Sequence, residues 1–559
     1  MTTPNSNLNQ RFQQAAALLQ QGSWAQAEKT LTELSKALPQ HSTLWFLLGT
    51  ARAQLGHGPA AEQAFRKSLA LNPTNAEAQN NLGFVLEMQR RTVEAKACYE
   101  RAIHLNADYA NAHFNLANVL QGLGALTEAE LHFRAAIHAK PDYVKALNNL
   151  GLLLLETGNY ADAVECLLTA RTLAPEDAEI ITNGGHAHYC IGQFETAIVL
   201  HERALTLAPG LAQAHSNLGM ALQAVEQFNA AARAFEKALS YQPDFAQATH
   251  NLAHLELASG QFAQGWLHYT SRPTRRATAT RAELRLPADL SGKTIFLRGE
   301  QGLGDELFFL RFAPELAHRG ATVKISCAVK LKSLLSRVSC LHSVADTENA
   351  PADSIKLLVG DLPYALGHDE HSAFPPPLNL TPQPDRVAAM RQALVAAGPP
   401  PYVGLTWRAG TKGLNRLDKN IPLSQLRPLL AATDANTTWI ALQRQPLPQD
   451  LAELGRVSGR TIADFTHVND NLEDMLALLS LLDDYGGVSN TNMHLRAGLG
   501  LSAQVLVPYP PDWRWLLAGD HSPWFPQFEL ARQSANGDWT PAITQCCETL
   551  AQRLHRPLR

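Results

Sequence analysis

Small and apolar positions return along the first half of the chain at a fixed step of 34 residues, far longer than the period of a helix or a strand. Proline stands at 39, 73, 141, 175, 209 and 243, with Ala107 in the one gap. The same step links Gly49, Gly83, Ala117, Gly151, Gly185, Gly219 and Ala253, and again Ala27, Ala61, Ala95, Ala129, Ala163, Ala197 and Ala231. Two small sites per unit predict two helices that cross closely, with proline ending the second. The period fails after Gly265-Trp266, and residues 272–290 read as a connector. Beyond it, apolar runs alternate with helical stretches: Thr294–Leu297, Thr322–Cys327, Ser354–Val359, Val403–Trp407, Thr438–Leu442, Tyr485–Val488 and Val505–Val507. That alternation predicts parallel sheets covered by helices on both faces. A proline-rich break from Phe374 to Pro384 separates a lobe over 291–385 from a second over 400–545, and 546–559 form a final helix. The expected class is therefore α followed by α/β.

A unit of 34 residues with small residues at the helix crossing and proline at its end resembles the tetratricopeptide repeat (TPR). Seven full units and a partial eighth fill residues 8–271, and stacking them buries the face that no single unit can bury, giving an α-solenoid with a concave groove. Asparagine recurs in register at Asn81, Asn115, Asn149, Asn183, Asn217 and Asn251. Asparagine is a poor helix former, while its amide both donates to and accepts from a peptide backbone, so this ladder is expected to line the groove and hold a polypeptide. The competing reading packs the amides between adjacent helices. The ladder is similar to the asparagine-lined superhelix of O-GlcNAc transferases, which implies a protein acceptor.

Charge and composition narrow the partners. The 47 basic and 51 acidic residues of the 559 give a formal charge of -4, with no electrostatic footprint for nucleic acid or an anionic membrane. Seven cysteines show no CxxC pairing and sit in apolar patterns, as in a reducing compartment, and no apolar run is long enough to span a bilayer. A cytoplasmic protein is expected.

Three strand-to-helix turns carry the candidate chemistry. The first, Arg298 to Glu306, places Gly302 and Gly304 where a backbone approaches a ligand and Asp305 near the first turn of a helix, where it takes a proton or merely caps. The second runs from Trp407-Arg408 to Lys419-Asn420 and holds four cations, Arg408, Lys412, Arg416 and Lys419, either to neutralise a diphosphate or as a solvated loop. The third, Ser489-Asn490-Thr491-Asn492 with His494 one turn on, offers free N–H groups and a positive dipole end to an anion, unless His494 is only structural. An aromatic run, Pro510 to Trp515 and Pro523 to Pro526, walls the cleft or fastens a helix. Asp483-Asp484 is no metal motif, since it lies where a helix meets a buried strand.

The Gly-Leu-Gly-Asp of residues 302–305, Asp418-Lys419 before Ile-Pro, and the turn ending in His494 resemble the heptosyltransferase-like family of GT-B glycosyltransferases over most of residues 291–545. The resemblance implies a GT-B transferase of two Rossmann-like lobes, inverting and metal-independent, with no cofactor beyond the nucleotide-sugar donor. It implies Asp305 as general base, Lys419 on the donor diphosphate, with Arg408 beside it, and His494 with residues 489–492 on the nucleotide side. The family carries an aspartate five residues before that histidine where this chain has Ser489, so that contact is absent or supplied differently. The acceptor expected is a protein hydroxyl. A glycan or lipopolysaccharide acceptor and an inactive interaction scaffold are the alternatives.

Overall fold

The computed structural model describes residues 4–272, 284–300, 302–345, 350–409 and 419–554. The chain forms two compact units, Met1–Pro209 and Gly210–Arg559. The first holds twelve α-helices in six antiparallel pairs, from Pro4–Gln20 to Phe194–Leu207. Its 34-residue period has a simple packing cause. A Cβ added to Gly49 would lie 2.7 Å from the Phe65 ring, on Gly83 2.7 Å from Tyr99, on Gly151 2.5 Å from Leu167, and on Gly185 2.6 Å from His201. The bare glycine backbone is thus the seat for a large side chain sixteen residues on, and the close packing of the interior leaves no room for more. The alanine series 27, 61, 95, 129, 163 and 197 is fully buried at the other crossing.

The second unit opens with four more helices, Ala212–Ala224, Phe228–Tyr241, Ala246–Ala258 and Phe262–Tyr269. They complete eight pairs where seven and a part were expected, the last helix being only eight residues long. Two parallel sheets follow. The first has β1 (Thr294–Arg298), β2 (Thr322–Ser326), β3 (Ser343–Ala345) and β4 (Ile355–Leu358) in the order β3-β2-β1-β4. In the second lobe β5 (Tyr402–Thr406) is followed by a short hairpin of β6 (Arg408–Ala409) and β7 (Lys419–Asn420). β8 (Thr438–Ala441), β9 (Ile462–Asp464), β10 (Asp484–Val488), β11 (Ala503–Val507) and β12 (Phe528–Arg532) join β5 in the order β12-β11-β10-β5-β8-β9. All seven expected strands are present, and the edge strands β3, β9 and β12 are additional. The final helix runs from Thr540 to Leu554, starting six residues ahead of expectation because the Asp538 carboxylate accepts the Thr540 N–H at 2.9 Å and caps it.

One apolar core joins the last repeat to both sheets. Trp266 and Tyr269 meet Phe309, Trp513 and, for Trp266, Trp524 largely edge to face, the favoured geometry for such rings. Arg272, the first residue of the expected connector, is buried in an ion cluster with Glu300 and Asp361 and donates to the Tyr269 carbonyl. The aromatic run after β11 therefore acts as packing, with Trp513, Trp515, Trp524 and Phe525 all buried. Asp483 and Asp484 sit at the N-terminal end of β10, accepting from the Tyr402 N–H and from Gln504 and Arg553. Among the described residues no helix is long and apolar enough to cross a membrane.

Candidate active site

In an open parallel sheet the crevice that takes ligands lies beyond the carboxyl ends of the strands where the strand order reverses. The first sheet reverses between β1 and β4, the second between β5 and β10. The turn holding Gly302, Gly304 and Asp305 leaves β1, the hairpin holding Lys419 leaves β5, and the turn holding Ser489 to His494 leaves β10. The three turns chosen on sequence thus leave strands that border the two switch points.

Asp305 is the third residue of helix Leu303–Phe309, and its Oδ2 accepts the Gly302 N–H at 3.1 Å. Capping is therefore one of its roles. Its Oδ1 accepts from Arg514, and the side chain remains 31% exposed. Arg514 also donates to both oxygens of Asp512, at 3.0 and 3.2 Å, and Asp512 lies 3.8 Å from the Lys419 ammonium. The result is a chain of alternating charge, Lys419–Asp512–Arg514–Asp305, built from three loops. Burial works against a charge on Asp512, but Arg514 and Lys419 outweigh it and hold the carboxyl below the usual range. Arg514 loses from burial and gains more from Asp512 and Asp305, so it stays charged.

Gly304 explains how the two lobes meet here. A Cβ on it would lie 2.9 Å from His494 Cδ2 and 3.2 Å from Nε2, so glycine lets the helix start of one lobe rest on the helix Thr491–Gly498 of the other. His494 is buried, edge-on to Phe308 and Phe525 with centroids 6.2 and 5.5 Å away. Burial, then Arg514 and Arg311, push its pKa well below the ordinary value, so the ring is neutral and serves as donor or acceptor, not as a cation. From the last repeat His254 belongs to the same electrostatic group: burial and His250 bring it down to about 3 against the pull of Asp512.

Other expected site residues are engaged elsewhere. Arg408 donates to Asp450 at 3.3 Å and to the Gln445 carbonyl at 3.1 Å, so its guanidinium is committed to the neighbouring loop. Asn490 caps its helix, accepting from the N–H groups of Asn492 and Met493 and donating to Thr406 Oγ1 at 2.9 Å. Two of the N–H groups expected to meet an anion are thereby occupied. Ser489 and Asn492 are buried, Asn492 reaching Asn469 at 3.5 Å, while Thr491 is half-buried beside Gly304. Lys412, Arg416 and Asp418 lie outside the described residues. Sequence reasoning passed over Asp512 and Arg514, whose one signal was a charged pair inside a run of buried tryptophans.

The asparagine ladder is largely self-satisfied in the first unit. Asn115 donates to Asn80 at 2.9 Å, Asn149 to Asn118 at 2.8 Å and Asn183 to Asn148 at 2.9 Å, each across neighbouring repeats, and Asn80 donates to Asn81 at 3.2 Å. In the second unit Asn217 and Asn251 accept from Gln213 and Gln247, and Asn251 Nδ2 is buried with no partner among the described residues.

Profiles of the tetratricopeptide repeat match residues 12–76, 86–144, 128–178 and 148–212, a second such profile 64–97, and a third 212–245. Protein FlbA of Caulobacter vibrioides is 26% identical over 330 residues, covering 53% of this chain and 54% of that protein. The chain thus spans about half the length of that relative. Among solved structures, YrrB, described as a TPR protein with an unusual peptide-binding site, is 25% identical over 34% of this chain and 97% of its own, with a TM-score of 0.31. MamA is 25% identical over 30% and 96%, with a TM-score of 0.27, and the Cut9–Hcn1 assembly 18% over 43% and 48%, with a TM-score of 0.36. From residue 12 to residue 245 the chain is built of tetratricopeptide repeats, and an α/β region of two parallel sheets follows them.

Proposed function

We propose that the chain is a glycosyltransferase of GT-B type that moves a sugar from a nucleoside diphosphate to a hydroxyl of a polypeptide held by the repeats. The observation that carries this reading is the meeting of a part-exposed carboxylate, Asp305, with Lys419 and Arg514 beside strand switch points in both sheets. An inverting transfer asks for two things. The acceptor hydroxyl gives its proton to Asp305 as its oxygen bonds to the anomeric carbon, and the bond from that carbon to the donor phosphate oxygen breaks with its electron pair leaving on the diphosphate. Lys419 and Arg514 supply positive charge for that leaving group, in a buried setting where such charges act strongly. Neutral His494, against Gly304, supplies a hydrogen-bonding ring on the nucleotide side.

The test is nucleotide release from a panel of nucleotide sugars by the purified full-length protein, with and without protein acceptors. Release that falls about 10²–10⁴-fold in Asp305→Asn, the scale of a lost general base, supports the reading. Transfer to glycans but never to protein would move the acceptor to the glycan class. A second reading, an interaction scaffold without turnover, is favoured by one observation: Asn490 takes the helix N–H groups that a phosphate would otherwise meet. Absence of binding and release with every donor supports it.

A further inference from the structure

Arg514 is the most engaged side chain beside Asp305, yet its hydrogen bonding is incomplete. Its two terminal nitrogens serve Asp305 and Asp512, while its Nε is buried with no acceptor among the described residues. The guanidinium lies 4.4 Å from the Trp513 ring and 4.9 Å from the Phe308 ring. Two flat aromatic walls hold the plane of a guanidinium while its edge donors exchange partners. Close by, Arg311 is buried and donates to the carbonyls of Phe308 and Trp524 at 3.1 and 2.7 Å, with no carboxylate partner among the described residues. Lys419 and Arg514 thus alternate with the carboxylates Asp512 and Asp305, and Glu306 adds a further carboxylate beside Asp305. A buried donor with no acceptor among the described residues, beside a part-exposed carboxylate, fits an anionic ligand.

We propose that Arg514 is a donor-sensing positioning residue: it holds Asp305 while the site is empty and passes to the donor diphosphate when that binds, freeing Asp305 for the acceptor hydroxyl. The inference rests on the transferase reading above and adds an order of events to it. With Arg514 in place, Oδ1 of Asp305 carries the guanidinium and Oδ2 the Gly302 N–H, so an acceptor hydroxyl has to compete with Arg514 for the carboxylate. Once Arg514 turns to the diphosphate, Oδ1 takes the acceptor proton and the same guanidinium stabilises the leaving group. Donor binding then precedes acceptor activation.

The test is a double-mutant cycle on binding of UDP, GDP, CDP, ADP and dTDP to the full-length protein by calorimetry. Asp305→Asn, a change at a part-exposed side chain, releases Arg514 and tightens binding of the accepted diphosphate by about tenfold, within the usual coupling of contacting residues. In the Arg514→Gln background the same change leaves affinity unaltered. Equal tightening in both backgrounds means plain repulsion between Asp305 and phosphate, and overturns the proposal; so does wild-type binding that Asp305→Asn leaves unchanged, with the transferase reading intact. Failure of the wild type to bind any of the five diphosphates overturns both together. Should Arg514→Gln not fold, a structure of the wild type with the bound diphosphate decides: Arg514 on phosphate supports the exchange, and Arg514 still on Asp305 overturns it.

Discussion

Two sets of polar side chains in this molecule differ in how they arise in sequence and in what they leave unpaired. Along helices Ala76–Met88 to Ala178–Cys190 the asparagine amides bond to one another across repeats, so the row largely closes on itself. Around Asp305 the charged groups come from separate loops, and Arg514 Nε has no acceptor among the described residues. A repeated polar residue can be an element of packing, whereas a cluster that its own chain does not complete is where a ligand has something to add. The unpartnered Nδ2 of Asn251 is the one place where the ladder resembles the cluster.

The contrast can be broken by substitution, and the largest effect is expected at Asp305. Asp305→Asn should lower sugar transfer about 10²–10⁴-fold, as loss of a general base does, with little change in melting temperature. Parallel losses of transfer and of folded protein would instead make Asp305 a cap only. In the repeats the expectation reverses. Gly151→Val places a Cβ 2.5 Å from Leu167 Cγ and should cost about 1–3 kcal/mol by overpacking, read as a lower urea midpoint, with diphosphate binding unchanged.

A pH dependence separates the regions further. His201, fully buried with both ring nitrogens unpartnered among the described residues, is brought from 6.5 to about 3 by burial and then by His186. The unfolded chain protonates this ring near its ordinary value while the folded chain does not, so stability falls as pH drops from about 6.5 toward 3, by up to about 1.4 kcal/mol per unit. His201→Phe, which restores the residue type of Phe65, Phe133 and Phe235 at this register, should flatten that slope in urea titrations at pH 7, 6 and 5. An unchanged slope would place the acid sensitivity elsewhere. The smallest effect is expected for Asn115→Ala, which takes the donor from buried Asn80 and costs about 1 kcal/mol. If the ladder also holds peptide, the same variant weakens binding of acceptor protein; if stability alone changes, the row is packing.

Much of this was legible in the sequence because it is periodic or local. The repeat is visible because every glycine at its register faces a large side chain sixteen residues on, and the seven core strands because buried parallel strands are continuous apolar runs. The edge strands were hidden for the converse reason: Ser343–Ala345 and Ile462–Asp464 are three residues each, and Phe528–Arg532 carries Glu529 and Arg532. In the candidate site, the turns that carry Gly302, Gly304, Asp305, Lys419 and His494 were legible from local turn chemistry, and they leave strands at the switch points. The contacts of Asp512 and Arg514 were not, since their meaning depends on bringing residue 514 to residue 305 across two lobes. Arg408 shows the same limit from the other side, a cation at a strand end whose partner Asp450 lies forty-two residues away.

The account is tested most directly by intact-mass spectrometry of protein from cells with and without this chain, alongside cells carrying folded Asp305→Asn and Lys419→Ala variants. A sugar-sized mass on particular proteins, present with the wild type and lost in both variants, is the predicted result. The same protein masses in all four samples, while the purified chain binds no nucleotide sugar, would contradict it and leave the repeats with a partner but no transfer.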